Sequence, residues 1–345
     1  MLAVQKTSPE QGLTLNEVGE PEAPGPGEVL IEVAAVGICG SDVHVYDWSS
    51  GYDWMTPLMP LTLGHEFSGE VVALGPGVAG LAAGQRVVVA PTAPCLVCPQ
   101  CRRGDLEFCS DRRTIGLHSH GAFARRLLAP ARSCFPLDDR IDDDLAALTE
   151  PLCVGENAAR VAEVQPGESV LVLGPGTIGQ AAAFMARIRG AARVIVVGKD
   201  DALRLAIARD LVEADTLDLE EGPLAERVLA LTGGRPVDKV IEATGVARSI
   251  AEALPLLKRG GIFAAAGIHH QALTLDLTPF IRNKHQLRAA YGSTARGWEA
   301  VIALLPGNAE RLSAMITHRL GLDRALEGFA LAKARQASKV ILHPR

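Results

Sequence analysis

Apolar and polar positions alternate from Glu28 to Cys39 (EVLIEVAAVGIC), the period-two pattern of a strand with one buried face. The same pattern predicts strands over Gly69 to Leu74 and Arg86 to Ala90, separated by Gly-Pro-Gly and Ala-Gly turns. Short strands at such close spacing predict a small β-barrel or sandwich in the first 150 residues. The texture changes after Pro166-Gly167. Ser169 to Leu173 and Arg193 to Val197 are short unbroken apolar runs, as strands buried on both faces require. Thr177 to Arg189 and Ala202 to Leu211 have helical periodicity. Strands over Lys239 to Glu242, Gly261 to Ala266 and Gln286 to Tyr291, with a helix over Ala247 to Leu257, continue the alternation. Alternating β and α segments predict a doubly wound parallel sheet, so the fold class is α/β. The last fifty residues read as amphipathic helices and a closing strand, Ala337 to Leu342, and no internal repeat interrupts the chain.

A length of 345 residues exceeds one ordinary hydrophobic core and predicts two domains. Hydrophobic residues make up 48% and charged residues 21%, a globular composition. A net charge of −6 gives no electrostatic footprint for a phosphate backbone, so nucleic acid is not an expected partner. No apolar run reaches the roughly 18 residues that span a bilayer. The opening MLAVQKTSPEQG lacks the apolar stretch and cleavage site of a signal peptide. The expected location is therefore the cytoplasm, where thiols stay reduced.

That expectation bears on the seven cysteines, four of which fall between Cys95 and Cys109. Cys95-x2-Cys98-x2-Cys101-x7-Cys109 reads better as a metal cluster than as disulfides. Four thiolates close a tetrahedral shell around Zn²⁺ and leave no open position, so this site is expected to be structural. It would staple a segment, TAPCLVCPQCRRGDLEFC, with little apolar content of its own.

Gly174-Pro175-Gly176-Thr177-Ile178-Gly179 is G-x-G-x-x-G, directly after a predicted strand and opening a predicted helix. The first glycine permits the tight turn, the second lets the backbone approach a pyrophosphate, and the third packs helix on strand. The helix N-terminus adds unpaired N–H groups and a favourable dipole. Beyond the second strand, Gly198 stands where an acidic residue normally grips the adenosine ribose. Asp200 at the ribose hydroxyls favours NAD, whereas Lys199 at a 2′-phosphate favours NADP; the reading leans to NAD and leaves NADP open.

Cys39 lies in GICGSDVH, His65 and Glu66 in LGHEFSG, and Glu150 in TEPL. Spacing alone does not join them. Taken together with the four-cysteine segment and GPGTIG, however, these motifs stand in the order found in the zinc-containing medium-chain alcohol and polyol dehydrogenases. The chain resembles that family along nearly its whole length, most closely its sorbitol, threonine and butanediol dehydrogenase branch. The resemblance implies a GroES-like β-rich catalytic domain over residues 1–152 and 290–345, with the four-cysteine lobe at about 91–112. A Rossmann cofactor domain over 153–289 is implied between them.

The resemblance also implies that Cys39 and His65 are catalytic zinc ligands. Glu66 matches a carboxylate that either binds the zinc or stands behind it, and Glu150, where the polyol branch has a carboxylate and the classical alcohol branch cysteine, is implied as a further ligand of the catalytic zinc. Ser41 matches the proton-relay hydroxyl and His44 the relay to solvent. Cys153 and Cys134 read as packed residues. The implied activity is hydride transfer between a secondary alcohol or polyol and NAD or NADP. An amino-alcohol or diol oxidiser is the enzymatic alternative, and a catalytically silent nucleotide-binding zinc protein the other. The branch leans to homotetramers, with dimers also represented. The aromatic stretch Val45 to Pro60, and His118 and His120 in GLHSHGAFA, either shape the substrate cleft or pack loops.

Overall fold

The computed structural model describes residues 1–49 and 51–345. They divide into two compact units, one of Met1–Glu150, Ile302–Ala309 and Ile316–Arg345, the other of Pro151–Val301 and Glu310–Met315. Residues 151–152, 290–301 and 310–315, expected with the catalytic domain, fall in the second unit. Asn157 donates there to the carbonyls of Tyr291 and Gly292 at 3.2 and 3.0 Å.

The first unit is built on the strand Glu28–Gly37. Its alternation puts Val29, Ile31, Val33 and Ala35 wholly inside. One edge pairs antiparallel with Glu66–Leu74 along its length. The other edge pairs with Arg126–Pro130 over its first half and with Lys339–His343 at its end. Irregularities between Leu30 and Ile31, and between Val33 and Ala35, bend the strand enough for this exchange. The seven-stranded sheet is completed by Arg86–Val89, Cys134–Pro136 and Ile316–Gly321, and a three-stranded sheet of Thr14–Glu17, Leu2–Lys6 and Leu61–Thr62 stands beside it. Val4, Ile31, Phe67, Phe123, Phe329 and Leu342 form part of the core.

The second unit holds a six-stranded, wholly parallel sheet. Its order is Asp215–Asp218, Arg193–Gly198, Ser169–Leu173, Val237–Glu242, Leu257–Ala265, Gln286–Ala289. Numbered by sequence this is 3-2-1-4-5-6, the doubly wound order of dinucleotide-binding domains. The order reverses between Ser169–Leu173 and Val237–Glu242, and ligands of such sheets bind beyond the strand ends at that reversal. Leu171, Ile195, Val240 and Phe263 are central to its core.

Several predicted bounds shift for identifiable reasons. The helix expected over Ala247 to Leu257 is Ala247–Ala253, because Pro255 forces a tight turn after it. The strand expected from Gly261 starts at Leu257, and Asp215–Asp218 was not foreseen. Among the described residues no helix is long and apolar enough to cross a membrane.

Candidate metal and cofactor sites

Register brings the scattered chemistry together. Gly37 at the end of its strand pairs with Glu66 at the start of the next. One residue after Ile38, Cys39 becomes the cap of helix Gly40–Asp47, and its N–H donates to Asp42 Oδ2 at 2.9 Å. The ligand atoms of Cys39, His65 and Glu66 all lie within 4.8 Å of one another. Ser41 Oγ stands 3.3 Å from His65 Nε2, and Asp42 Oδ1 stands 3.5 Å from His65 Nδ1. Glu66 Oε2 is 2.5 Å from Lys339 Nζ, which also donates to the Ile38 carbonyl at 2.9 Å. A Cβ at position 37 would come within 2.3 Å of Glu66 Oε2, so a side chain there would push the Glu66 carboxylate out of place.

Asp42, His65, Glu66 and Lys339 are all buried. Burial pushes the Cys39 thiol up, as does Glu66, while His65 and Lys339 oppose the shift. Burial works against a charged His65, but Asp42 and Cys39 outweigh it and hold the imidazole well above its ordinary value. Burial likewise disfavours the Lys339 ammonium, and Glu66 and Cys39 raise it above the usual lysine value. Glu150, in the first turn of helix Thr149–Val161, is pushed up to about 7 by burial, with Glu66 and Asp42 adding and His65 and Lys339 opposing. It shares the charges of this cluster but lies outside the 4.8 Å donor set.

Asp42 Oδ1 and His65 Nδ1 face each other at 3.5 Å, beyond hydrogen-bond geometry, and Glu66 Oε1 is buried without a hydrogen-bond partner. An orphaned carboxylate oxygen of this kind marks a place for an ion or water. A sulfur, an imidazole nitrogen and a carboxylate oxygen at mutual reach are a donor set that suits Zn²⁺ with a position left open. Two members of the cluster were not legible in advance. Asp42 had one signal, an acid three residues after a helix-capping position. Lys339 had another, a lysine that opens the strand Lys339–His343 directly before the apolar run Val340–Leu342.

His44 lies on the same helix as Ser41, three residues on and therefore on the same face. His118 is used locally. Its Nδ1 accepts from the Thr114 N–H at 3.2 Å, and its ring stacks on Trp54 with centroids 4.4 Å apart. His120 Nδ1 accepts from the Thr62 N–H at 3.2 Å. Within the aromatic stretch Val45 to Pro60, Ser50 lies outside the described residues. Cys153 is fully buried, and burial raises the Cys134 thiol to about 12.

The sulfurs of Cys95, Cys98, Cys101 and Cys109 also lie within 4.8 Å of one another. Backbone N–H groups point at them: Cys95 N–H to Cys109 Sγ at 3.2 Å, Cys98 N–H to Cys95 Sγ at 3.3 Å, and Cys101 N–H to Cys98 Sγ at 3.4 Å. The Cys101 N–H, with further donors, brings Cys98 down to about 5, whereas burial and the neighbouring sulfurs hold Cys101 at about 12. Donors already aimed at sulfur stabilise thiolate charge, as a four-thiolate zinc site requires.

In the second unit each glycine of the turn has its own geometry. Gly174 has φ of 100°, a left-handed conformation, and its backbone abuts Ala243 and Thr244. Gly176 caps helix Thr177–Ile188, and a Cβ on it would meet only Arg204 Nη1, at 3.6 Å. A Cβ on Gly179 would lie 1.8 Å from the Gly174 carbonyl oxygen, so helix and strand touch there. Thr177 and Ile178 open the helix whose N–H groups face the turn. Lys199 pairs with Glu220 at 3.3 Å. Asp200 has φ of 49°, and its N–H donates to Asp218 Oδ1 at 3.0 Å.

Residues 25–139 match the alcohol dehydrogenase GroES-like domain, and residues 177–306 match the zinc-binding dehydrogenase domain. The chain is 34% identical to an L-threonine 3-dehydrogenase of Chelativorans sp. (strain BNC1), over 99% of this chain and 98% of that one. It is 32% identical to a sorbitol dehydrogenase of Halalkalibacterium halodurans, over 100% and 99%. A zinc-binding dehydrogenase from Sinorhizobium meliloti 1021, solved bound to NADP, superposes with a TM-score of 0.90 at 30% identity over 99% of both chains.

Proposed function

The chain belongs to the zinc-dependent medium-chain alcohol dehydrogenase family, and we propose that it oxidises a small secondary alcohol or polyol with NAD or NADP as hydride acceptor. The observation that carries this reading is the pairing of Gly37 with Glu66, which gathers Cys39, His65 and Glu66 beside Ser41.

Cys39, His65 and Glu66 would hold the catalytic zinc, with Glu150 as a supporting carboxylate that responds to the same charges. Bound zinc would supply Lewis acidity, which lowers the pKa of a hydroxyl it polarises toward neutrality. Asp42 orients the His65 ring from its Nδ1 side and so leaves Nε2 for the metal. Lys339 fixes one oxygen of Glu66 and leaves Oε1 turned inward. Ser41 Oγ takes the proton of the substrate hydroxyl, and His44, one helical turn along, passes it toward solvent. The cofactor, held at Gly174, Gly176, Thr177, Ile178 and Gly179, supplies hydride acceptance.

The lobe of Cys95, Cys98, Cys101 and Cys109 takes a second, structural zinc. The enzyme works in the cytoplasm as a homo-oligomer. Support for self-association lies in the sheet's open edge Gln286–Ala289, where Leu287 is exposed, and in helix Leu277–Arg282, which exposes Leu277 and Ile281. The threonine dehydrogenase relative makes an amino alcohol the second substrate class to test.

Sorbitol, 2,3-butanediol and L-threonine, each assayed with NAD and with NADP, test the proposal. Turnover of at least one of them, lost on chelation and restored by Zn²⁺, is the expected outcome. Activity indifferent to complete metal removal would overturn it.

A further inference from the structure

The reading above leaves the cofactor's phosphate state open, and the turn after the second strand of the parallel sheet decides it. That turn faces the adenosine ribose in dinucleotide-binding domains, where a carboxylate selects NAD and a cation accommodates the extra phosphate of NADP. Here the strand ends in Gly198, and a carboxylate cannot simply be placed there. A Cβ at position 198 would lie 3.0 Å from Pro175 Cγ and 3.1 Å from Leu205 Cγ, so a side chain there would require one of these neighbours to give way by a few tenths of an ångström.

Two of the nearby acids, Asp218 and Asp201, have partners of their own. Asp218 accepts from the backbone N–H groups of Asp200 and Glu220, both at 3.0 Å. Asp201, which is buried, accepts from Arg204 Nε with both oxygens at 2.8 Å, and from Arg204 Nη2. That pairing uses one edge of the guanidinium and turns the other toward the turn, leaving Nη1 3.6 Å from where a Gly176 Cβ would stand. Lys199 follows Gly198 directly, is exposed, and pairs with the exposed Glu220 at 3.3 Å.

We propose that Arg204 and Lys199 form a subsite for the 2′-phosphate of NADP, with Asp201 as the positioning residue that presets the Arg204 guanidinium. Arg204 gives the directed hydrogen bond from a planar fork; Lys199 gives a mobile point charge that exchanges Glu220 for the phosphate. Asp200, in a left-handed conformation one residue later, is the carboxylate whose contact with the ribose hydroxyls would favour NAD instead. The inference rests on the cofactor reading given above.

Calorimetric titration of the full-length, zinc-loaded protein with 2′,5′-ADP and with 5′-AMP tests it without turnover. Charge-assisted hydrogen bonds imply that 2′,5′-ADP binds about tenfold or more tightly than 5′-AMP. Arg204→Gln and Lys199→Gln should each remove most of that margin and leave 5′-AMP affinity within about twofold. Lys199 is on the surface, so Lys199→Gln keeps the test decisive even if Arg204→Gln folds poorly. Equal or tighter binding of 5′-AMP to the wild type overturns the subsite and leaves the dehydrogenase reading standing. Binding of neither nucleotide overturns the subsite and the cofactor reading together.

Discussion

Lys339 Nζ lies 2.5 Å from Glu66 Oε2, with the two side chains 2% and 1% exposed and a sequence separation of 273. Breaking a buried pair by removing one partner leaves an uncompensated charge and costs about 3–5 kcal/mol. Lys339→Met is therefore expected to lower unfolding free energy by about that amount. The double variant Lys339→Met with Glu66→Gln should recover part of the loss. Denaturant titrations of the three proteins check this; a single variant as stable as wild type would show that the pair carries no such weight.

The same pair shows what could be read in the sequence and what could not. The parallel-sheet strands were legible because burial on both faces writes an unbroken apolar run, as in Ser169–Leu173. Asp215–Asp218 escaped notice because it forms the sheet's edge and reads Asp-Thr-Leu-Asp, mostly polar. The glycine turn was legible because its chemistry is local. Asp42 and Lys339 were not, because His65 and Glu66 reach them from segments distant in sequence, and no spacing rule ties Lys339 to Glu66. Cys39, His65 and Glu66 were joined in advance only through family resemblance.

Ser41 is placed as the proton acceptor on one distance, 3.3 Å to His65 Nε2. Ser41→Ala is expected to lower kcat by about 10²- to 10⁴-fold while zinc content and nucleotide affinity hold. Rescue of much of the rate by Ser41→Thr is expected, since the hydroxyl is retained. A Ser41→Ala enzyme with wild-type kcat would remove the hydroxyl from the proton path.

Gly179→Ala tests the cofactor turn. Its Cβ would meet the Gly174 carbonyl oxygen at 1.8 Å, so the turn must open. Nucleotide binding should weaken severely while both zinc ions remain. Gly104→Ala is not a suitable control, because Gly104 has φ of 88°; Gly19→Ala, with no atom within 4 Å of its Cβ, is. Gly179→Ala and Gly19→Ala binding nucleotide equally well would contradict the close packing of helix and strand.

His343 Nε2 stands 2.7 Å from Asp144 Oδ1, and that hydrogen bond raises the imidazole above its ordinary value, against burial and with the Asp144 charge adding. A raised folded-state value gives stabilisation that is complete below the unfolded value of about 6.5 and fades as pH rises through the folded one. The Tm advantage of wild type over His343→Gln should therefore be larger at about pH 6 than at about pH 8.5. An advantage that grew with pH would reverse the sign and reject the pairing.

Cys98→Ser addresses the lobe. It is expected to lose about one zinc per chain, and thermal stability should fall before activity does. A variant that lost activity at unchanged Tm and metal content would place the lobe's role elsewhere.

Metal analysis of Cys39→Ala beside wild type tests most directly whether Cys39, His65 and Glu66 hold a catalytic zinc. About two zinc ions per chain in wild type and about one in the variant are predicted, with dehydrogenase activity absent and nucleotide binding intact. Full zinc occupancy together with retained turnover in Cys39→Ala would contradict the account.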